Sequence, residues 1–258
     1  MADAFFEVDG DSYVPSELTR GPWDPGSQHA GPPCALLGRE IDQAGGLPEA
    51  RLARVTFEIL KPIPIATLTV DAEVVRPGRS VELLEGTLSS DDTAIVRARG
   101  WRIRTTELET GPAPPETPPP GPEQAEERPF FETGSDVGYQ TAMDVRFASG
   151  SYLDIGPATA WMRMRVPLIE GEEPEPRDRV LVAADSGNGV SAPLDYDRWV
   201  FINADLNVAL RRLPQGEWVC LDATTWAEPD GVGLTDTALH DERGLIGRAT
   251  QSLLLAQR

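Results

Sequence analysis

The chain has 258 residues, 40% of them hydrophobic, and a formal net charge of −19. That length holds one large domain or two of ordinary size, and the acidity excludes the basic face that nucleic-acid binding requires. No run of ~18 apolar residues predicts a membrane span. The acidic start Met-Ala-Asp-Ala-Phe-Phe-Glu lacks the basic and apolar regions of a signal peptide, so a cytoplasmic location is expected.

In chain order, the first 19 residues mix acids with Phe5, Phe6 and Tyr13 and predict a short strand. The stretch from Arg20 to Arg39 is a glycine- and proline-rich loop running into an apolar helix start. Pro25, Gly26, Gly31, Pro32 and Pro33 set its path. Pro32 and Pro33 fall where a helix tolerates proline, in its first turn. Backbone amides near Gly31 and Cys34 are expected to point out of that helix end, as a site for a polarised carbonyl. Leu36, Leu37, Ile41 and Ala44 recur at helical spacing, and Gly45-Gly46 ends the helix.

From Arg54 to Arg104 the period switches to two. Val55, Phe57 and Ile59 alternate with polar residues, as do Leu68, Val70, Ala72 and Val74. Turns at Pro77-Gly78 and at residues 89–92 divide an antiparallel meander. Residues 107–129 hold eight prolines and read as a linker. The expected division is residues 1–106, linker 107–129, and residues 130–258.

The second half repeats the first. Shifted by 151, residues 54–104 align without a gap on 205–255: Val55, Phe57 and Ile59 fall on Leu206, Val208 and Leu210, and Ile95, Arg97 and Ala98 on Ile246, Arg248 and Ala249. Ahead of this meander, Ala160–Val166 predicts a strand and Arg177–Asp185 the matching helix. Each half is then a helix laid on a curved antiparallel sheet, and two halves side by side close the open faces and edges.

The repeat also separates fold from chemistry. Polar positions in one copy that the other copy does not match are candidates for function. Gln251 falls opposite Gly100, Thr225 opposite Val74, and Asp205 opposite Arg54. A carboxylate, an amide and a hydroxyl are the parts needed to hold and deprotonate one water. Thr224 is an alternative hydroxyl. Cys34 and Cys220 are expected to be buried and reduced, and neither has a histidine partner for nucleophilic catalysis. His29 and His240 are too isolated for a zinc site, so neither a metal nor a cofactor is expected.

These features together resemble the TesB-like acyl-CoA thioesterases, which are tandem (double) hotdog proteins of the α+β class. The loop Gln28-His-Ala-Gly-Pro-Pro-Cys-Ala-Leu-Leu37 resembles the family's His-Gly-Gly start to the first hotdog helix, with Ala30 in place of the first glycine. Phe201–Arg212 is similar to its aspartate-bearing strand. Glu217-Trp218 and Gly247-Arg-Ala-Thr-Gln251 also match its pattern. The resemblance implies that Asp205, Gln251 and Thr225 or Thr224 activate a water for attack on an acyl-CoA thioester. It places His29, Ala30, Gly31 and Cys34 on the substrate side, and fatty acid metabolism as the setting. A homodimer of double-hotdog units is compatible with it. Two rivals remain: a non-catalytic acyl- or CoA-binding module on the same fold, and a hotdog hydratase built on an Asp–His pair.

Overall fold

The computed structural model describes residues 3–111 and 114–258. Residues 112 and 113 of the expected linker lie outside the described residues, as do Met1 and Ala2. A hairpin of β1 (Phe6–Asp9) and β2 (Ser12–Pro15) precedes α1 (Gly31–Ala44). The strands β3 (Ala50–Ile59), β4 (Leu68–Arg76), β5 (Val81–Ser90) and β6 (Thr93–Arg104) follow. The second half opens with the one-turn helix α2 (Tyr139–Ala142), β7 (Met143–Ser149) and β8 (Ala158–Met164). Then come α3 (Pro176–Ala184), α4 (Gly187–Val190), β9 (Trp199–Asn203), β10 (Asp205–Leu210), β11 (Val219–Ala227), β12 (Val232–Asp241) and β13 (Gly244–Gln257).

The duplication is visible in the strand bounds. Displaced by the same 151 residues, β4 coincides with β11 and β5 with β12, end for end. All strands join one antiparallel sheet in the order β1-β2-β4-β5-β6-β3-β10-β13-β12-β11-β8-β7, with β9 on β13. The halves meet at β3 and β10, where Val55 pairs with Val208 and Phe57 with Leu206. Pairing these two strands gives each half a neighbour where it would otherwise expose an edge. Alternating side chains put one set inward, as in β5, where every second residue from Glu82 to Ser90 is buried.

α1 and α3 lie on the inner face and run antiparallel. Gly31 at the start of α1 meets Val182 near the end of α3, and Asp42 near the end of α1 meets Arg177 at the start of α3. Gly31 is required by this approach: a Cβ there would stand 2.4 Å from the Val182 carbonyl oxygen. One continuous core takes Leu36, Leu37 and Ile41 from α1, Val180–Ala184 from α3, and inward residues from both meanders. This is the α+β tandem-hotdog architecture that the resemblance implies.

The proline-rich segment between the meanders lies against the second half. Trp161 Nε1 donates to Pro120 O at 2.7 Å, Glu126 exchanges backbone hydrogen bonds with Phe147, and Pro122 is buried. Its composition supplies no apolar periodicity of its own, but an extended proline backbone still presents carbonyls to a neighbouring surface. Among the described residues no helix is long and apolar enough to cross a membrane.

Candidate active site

The register of the second meander builds a polar row on the inner face. Thr225 of β11 pairs with Thr235 of β12, and Thr235 pairs with Gln251 of β13. The side chains of directly paired residues share a face, and all three are buried. Thr225 Oγ1 is 2.9 Å from Thr235 Oγ1 and 2.7 Å from Ser191 Oγ. Thr224, one position away, points to the opposite face by strand alternation. Thr225 is therefore the hydroxyl on the inner side.

Above this row the second helix breaks. α3 ends at Ala184, Asp185 and Ser186 bridge the gap, and α4 starts at Gly187. Glycine is needed at the new start: a Cβ on Gly187 would meet Thr237 Oγ1 at 2.6 Å and Gln251 Oε1 at 2.9 Å. Gln251 ties the break together. Its Nε2 donates to Asp185 O at 3.1 Å, and its Oε1 accepts from the Asn188 N–H at 3.1 Å. A buried amide with both ends engaged holds the break rigidly.

Asp185 is only 4% exposed, yet it has no arginine or lysine partner among the described residues. Asn203 Nδ2 donates to its Oδ1 at 2.9 Å, and its Oδ2 lies 3.1 Å from His29 Nδ1. His29 is held from both sides. Its backbone N–H donates to Thr19 O at 2.7 Å, and its ring stacks on Tyr139 with centroids 3.8 Å apart. Tyr139 is fixed in turn, with its hydroxyl donating to Val182 O at 2.9 Å and lying 3.0 Å from Ser186 Oγ. Burial pushes the His29 pKa below its ordinary 6.5, against the opposing pull of Asp185.

Two sequence expectations are corrected. Asp205 does not join Gln251. It lies on the outer face of β10, opposite to that of Gln251 on β13, and its Oδ1 accepts from the Ser252 N–H at 2.6 Å. Strand alternation decides this, because the next residue, Leu206, is fully buried on the inner face where Gln251 also lies. The first turn of α1 does not offer the expected amides either. The Gly31 N–H donates to His29 Nδ1 at 3.1 Å, the Cys34 N–H donates to Ala30 O at 2.9 Å, and Pro32 and Pro33 have no N–H. Cys34 is fully buried in the core, where desolvation drives its thiol pKa well up. Ala30 stands just ahead of the helix and is partly buried.

The sequence reasoning missed Asp185, Asn203, Ser191, Thr235 and Tyr139. For Thr235 the signal was present: the turn at Asp230-Gly231 fixes the hairpin register that sets it opposite Thr225. For Asp185 the signal was an acidic residue ending a helix just ahead of Ser186-Gly187, a position where a cation is the usual complement.

A small cavity of about 40 Å³ lies beside this cluster, bounded by His29, Tyr139, Ser186, Asn188 and Gly189 and by the rings of Phe131 and Tyr152. Such a volume holds roughly three waters. Through Pro22, Trp23, Phe131 and Tyr196 it adjoins a surface groove of about 260 Å³ that carries Arg20 and Arg258. A buried carboxylate paired with an imidazole that lines the cavity, at the end of an aromatic passage, suits proton abstraction from water.

Comparison with known proteins places both halves in one family. The acyl-CoA thioesterase N-terminal domain matches residues 19–103, and the acyl-CoA thioesterase C-terminal domain matches residues 115–255. Among solved structures, a Thermobifida fusca protein assigned as a thioesterase II aligns with a TM-score of 0.78 at 17% identity, covering 97% of this chain and 94% of that one. A hot dog fold protein of unknown function from Alicyclobacillus acidocaldarius gives 0.75 at 15%, covering 98% and 97%. The acyl-CoA thioesterase II TesB2 from Mycobacterium marinum gives 0.67 at 14%, covering 98% and 94%. At these identities the structures establish a shared fold. No curated protein matches the chain.

Proposed function

The chain belongs to the acyl-CoA thioesterase family and is a thioester hydrolase, and from that premise we propose that Asp185, in place of Asp205, is the base that activates its water. The observation that carries this reading is the coordination of Asp185. Its carboxylate is buried, is held by an amide and an imidazole, and is not neutralised by a guanidinium.

In this reading Gln251 and Thr225 fix the geometry. Gln251 holds the helix break that presents Asp185. Thr225, through Thr235 and Ser191, lines the polar floor beneath it. A water bound there loses a proton to Asp185 as its oxygen attacks the thioester carbonyl carbon, and no covalent enzyme intermediate is needed. The acyl side of the substrate faces the small cavity and its sulfur side the surface groove. With room for only a few heavy atoms beside His29, short acyl groups are the best fit. The organisation that goes with this reading is two hotdog units, residues 1–106 and 130–258, joined through 107–129.

The test is hydrolysis of an acyl-CoA series from acetyl to palmitoyl by the wild type and by Gln251→Ala. Release of CoA by the wild type, reduced about 100-fold or more in the variant, supports the reading. A fully active variant contradicts it. The His29–Asp185 pair also suits addition of water to an enoyl-CoA double bond, and crotonyl-CoA in the same series separates the two: hydration without CoA release favours the hydratase.

A further inference from the structure

His29 Nδ1 has two neighbours with opposite requirements. The Gly31 N–H, 3.1 Å away, needs a lone pair on Nδ1. The Asp185 Oδ2, also 3.1 Å away, is an acceptor and takes a hydrogen bond only when Nδ1 carries a proton. One nitrogen cannot serve both at once. The imidazole is thus held in a place where either tautomer has a partner, Gly31 for one and Asp185 for the other. The second nitrogen, Nε2, has no hydrogen-bond partner among the described residues, and His29 lines the cavity along which substrate enters.

We propose that His29 is the general acid of the reaction, giving its Nε2 proton to the leaving thiolate and recovering a proton on Nδ1 from Asp185. This rests on the hydrolysis reading above.

The step balances. Before attack His29 is neutral, with its proton on Nε2 and Nδ1 accepting from Gly31. Asp185 takes one proton from the water, and the oxygen bonds to the carbonyl carbon. The carbon–sulfur bond then breaks and its electron pair leaves with sulfur. Nε2–H passes to that sulfur, and the proton on Asp185 Oδ2 moves to Nδ1. The products are a carboxylic acid and a thiol. Asp185 is again a carboxylate, and His29 is neutral in the other tautomer. Burial supports this use by keeping the ring neutral, as a group that must both give and receive a proton near neutral pH requires.

The stacked Tyr139 ring and the backbone bond from His29 to Thr19 fix the imidazole plane. Replacing His29 therefore also disturbs packing, so the test must separate chemistry from structure. The rates of His29→Gln and wild type are compared on two thioesters of the same acyl group. One has an alkyl thiol, N-acetylcysteamine, whose thiolate needs protonation. The other has a thiophenol, whose thiolate leaves without it. The ratio of the two rates is independent of how much of the variant is folded. The expected result is a loss of about 100-fold on the alkyl thioester and less than about 10-fold on the aryl one. Equal loss on both substrates, or no loss on either, overturns the assignment while leaving hydrolysis intact. A wild type that cleaves neither thioester overturns the hydrolysis reading itself.

Discussion

Asp42 and Asp185 stand at opposite ends of the antiparallel α1–α3 pair, and their surroundings differ in kind. Asp42 lies between two guanidiniums, 2.7 Å from Arg102 and 2.7 Å from Arg177. Arg102 is also paired with Glu82, and Arg177 with Asp178 at 3.2 Å. Asp185 has an amide and an imidazole instead. The sheet beneath each end follows suit. In the second half the row is Thr225–Thr235–Gln251. In the first half the row 151 residues earlier is Val74–Leu84–Gly100, and Ile41 of α1 packs onto that glycine. One duplicated frame has thus been filled in two ways. Where the carboxylate is spanned by arginines and the floor is apolar, the end is a clamp between the halves. Where the carboxylate is left without a fixed cation and the floor is polar, it can exchange protons.

The comparison predicts a clean separation of effects. The largest belongs to the polar end. Removing the Gln251 amide or the His29 imidazole is expected to cost about 100-fold in kcat/KM on acyl-CoA, with the fold retained. The next belongs to the clamp. Asp42→Ala leaves Arg102 and Arg177 each short of a charged hydrogen bond and is expected to lower unfolding stability by about 2 kcal/mol, read from the urea midpoint. Its activity per folded molecule should stay near wild type. If Asp42→Ala abolishes turnover at full stability, the two ends are not divided as described.

The smallest effect is on pH dependence. The groups facing His29 are Asp185 and the stacked Tyr139, and burial nevertheless holds its folded-state pKa below 6.5. In that state the folded protein binds fewer protons than the unfolded chain as pH drops through and below 6.5. Folding stability should therefore fall with pH there. The slope of Tm between pH 7.5 and pH 5.5 should be shallower in His29→Gln than in wild type. An unchanged slope would place His29 outside the titration.

The two fillings also explain what was legible in the sequence. The frame was, because period-two alternation and an ungapped shift survive in the residues themselves: β4 and β11, or β5 and β12, need no structure to be matched. Gln251 and Thr225 were legible by contrast with Gly100 and Val74. The same contrast chose Asp205 over Arg54, a choice that the proposed base, Asp185, replaces. Difference between copies does not say which face of a strand a residue occupies, and Asp205 lies on the outer face of β10. Asp185 was missed because it lies in the helix, outside the aligned meanders. What brings it to Gln251 is the break at Ser186-Gly187, a tertiary feature with no local period.

The assignment of the base is tested most directly by measuring kcat/KM for Asp185→Asn and Asp205→Asn side by side on the best acyl-CoA substrate, with thermal melts of both. An asparagine keeps the size and loses the proton affinity. The expected result is a loss of about 10²- to 10⁴-fold for Asp185→Asn at near-native Tm, and less than about threefold for Asp205→Asn, an effect below 1 kcal/mol. The reverse pattern, with Asp205→Asn inactive and Asp185→Asn turning over normally, would contradict the account.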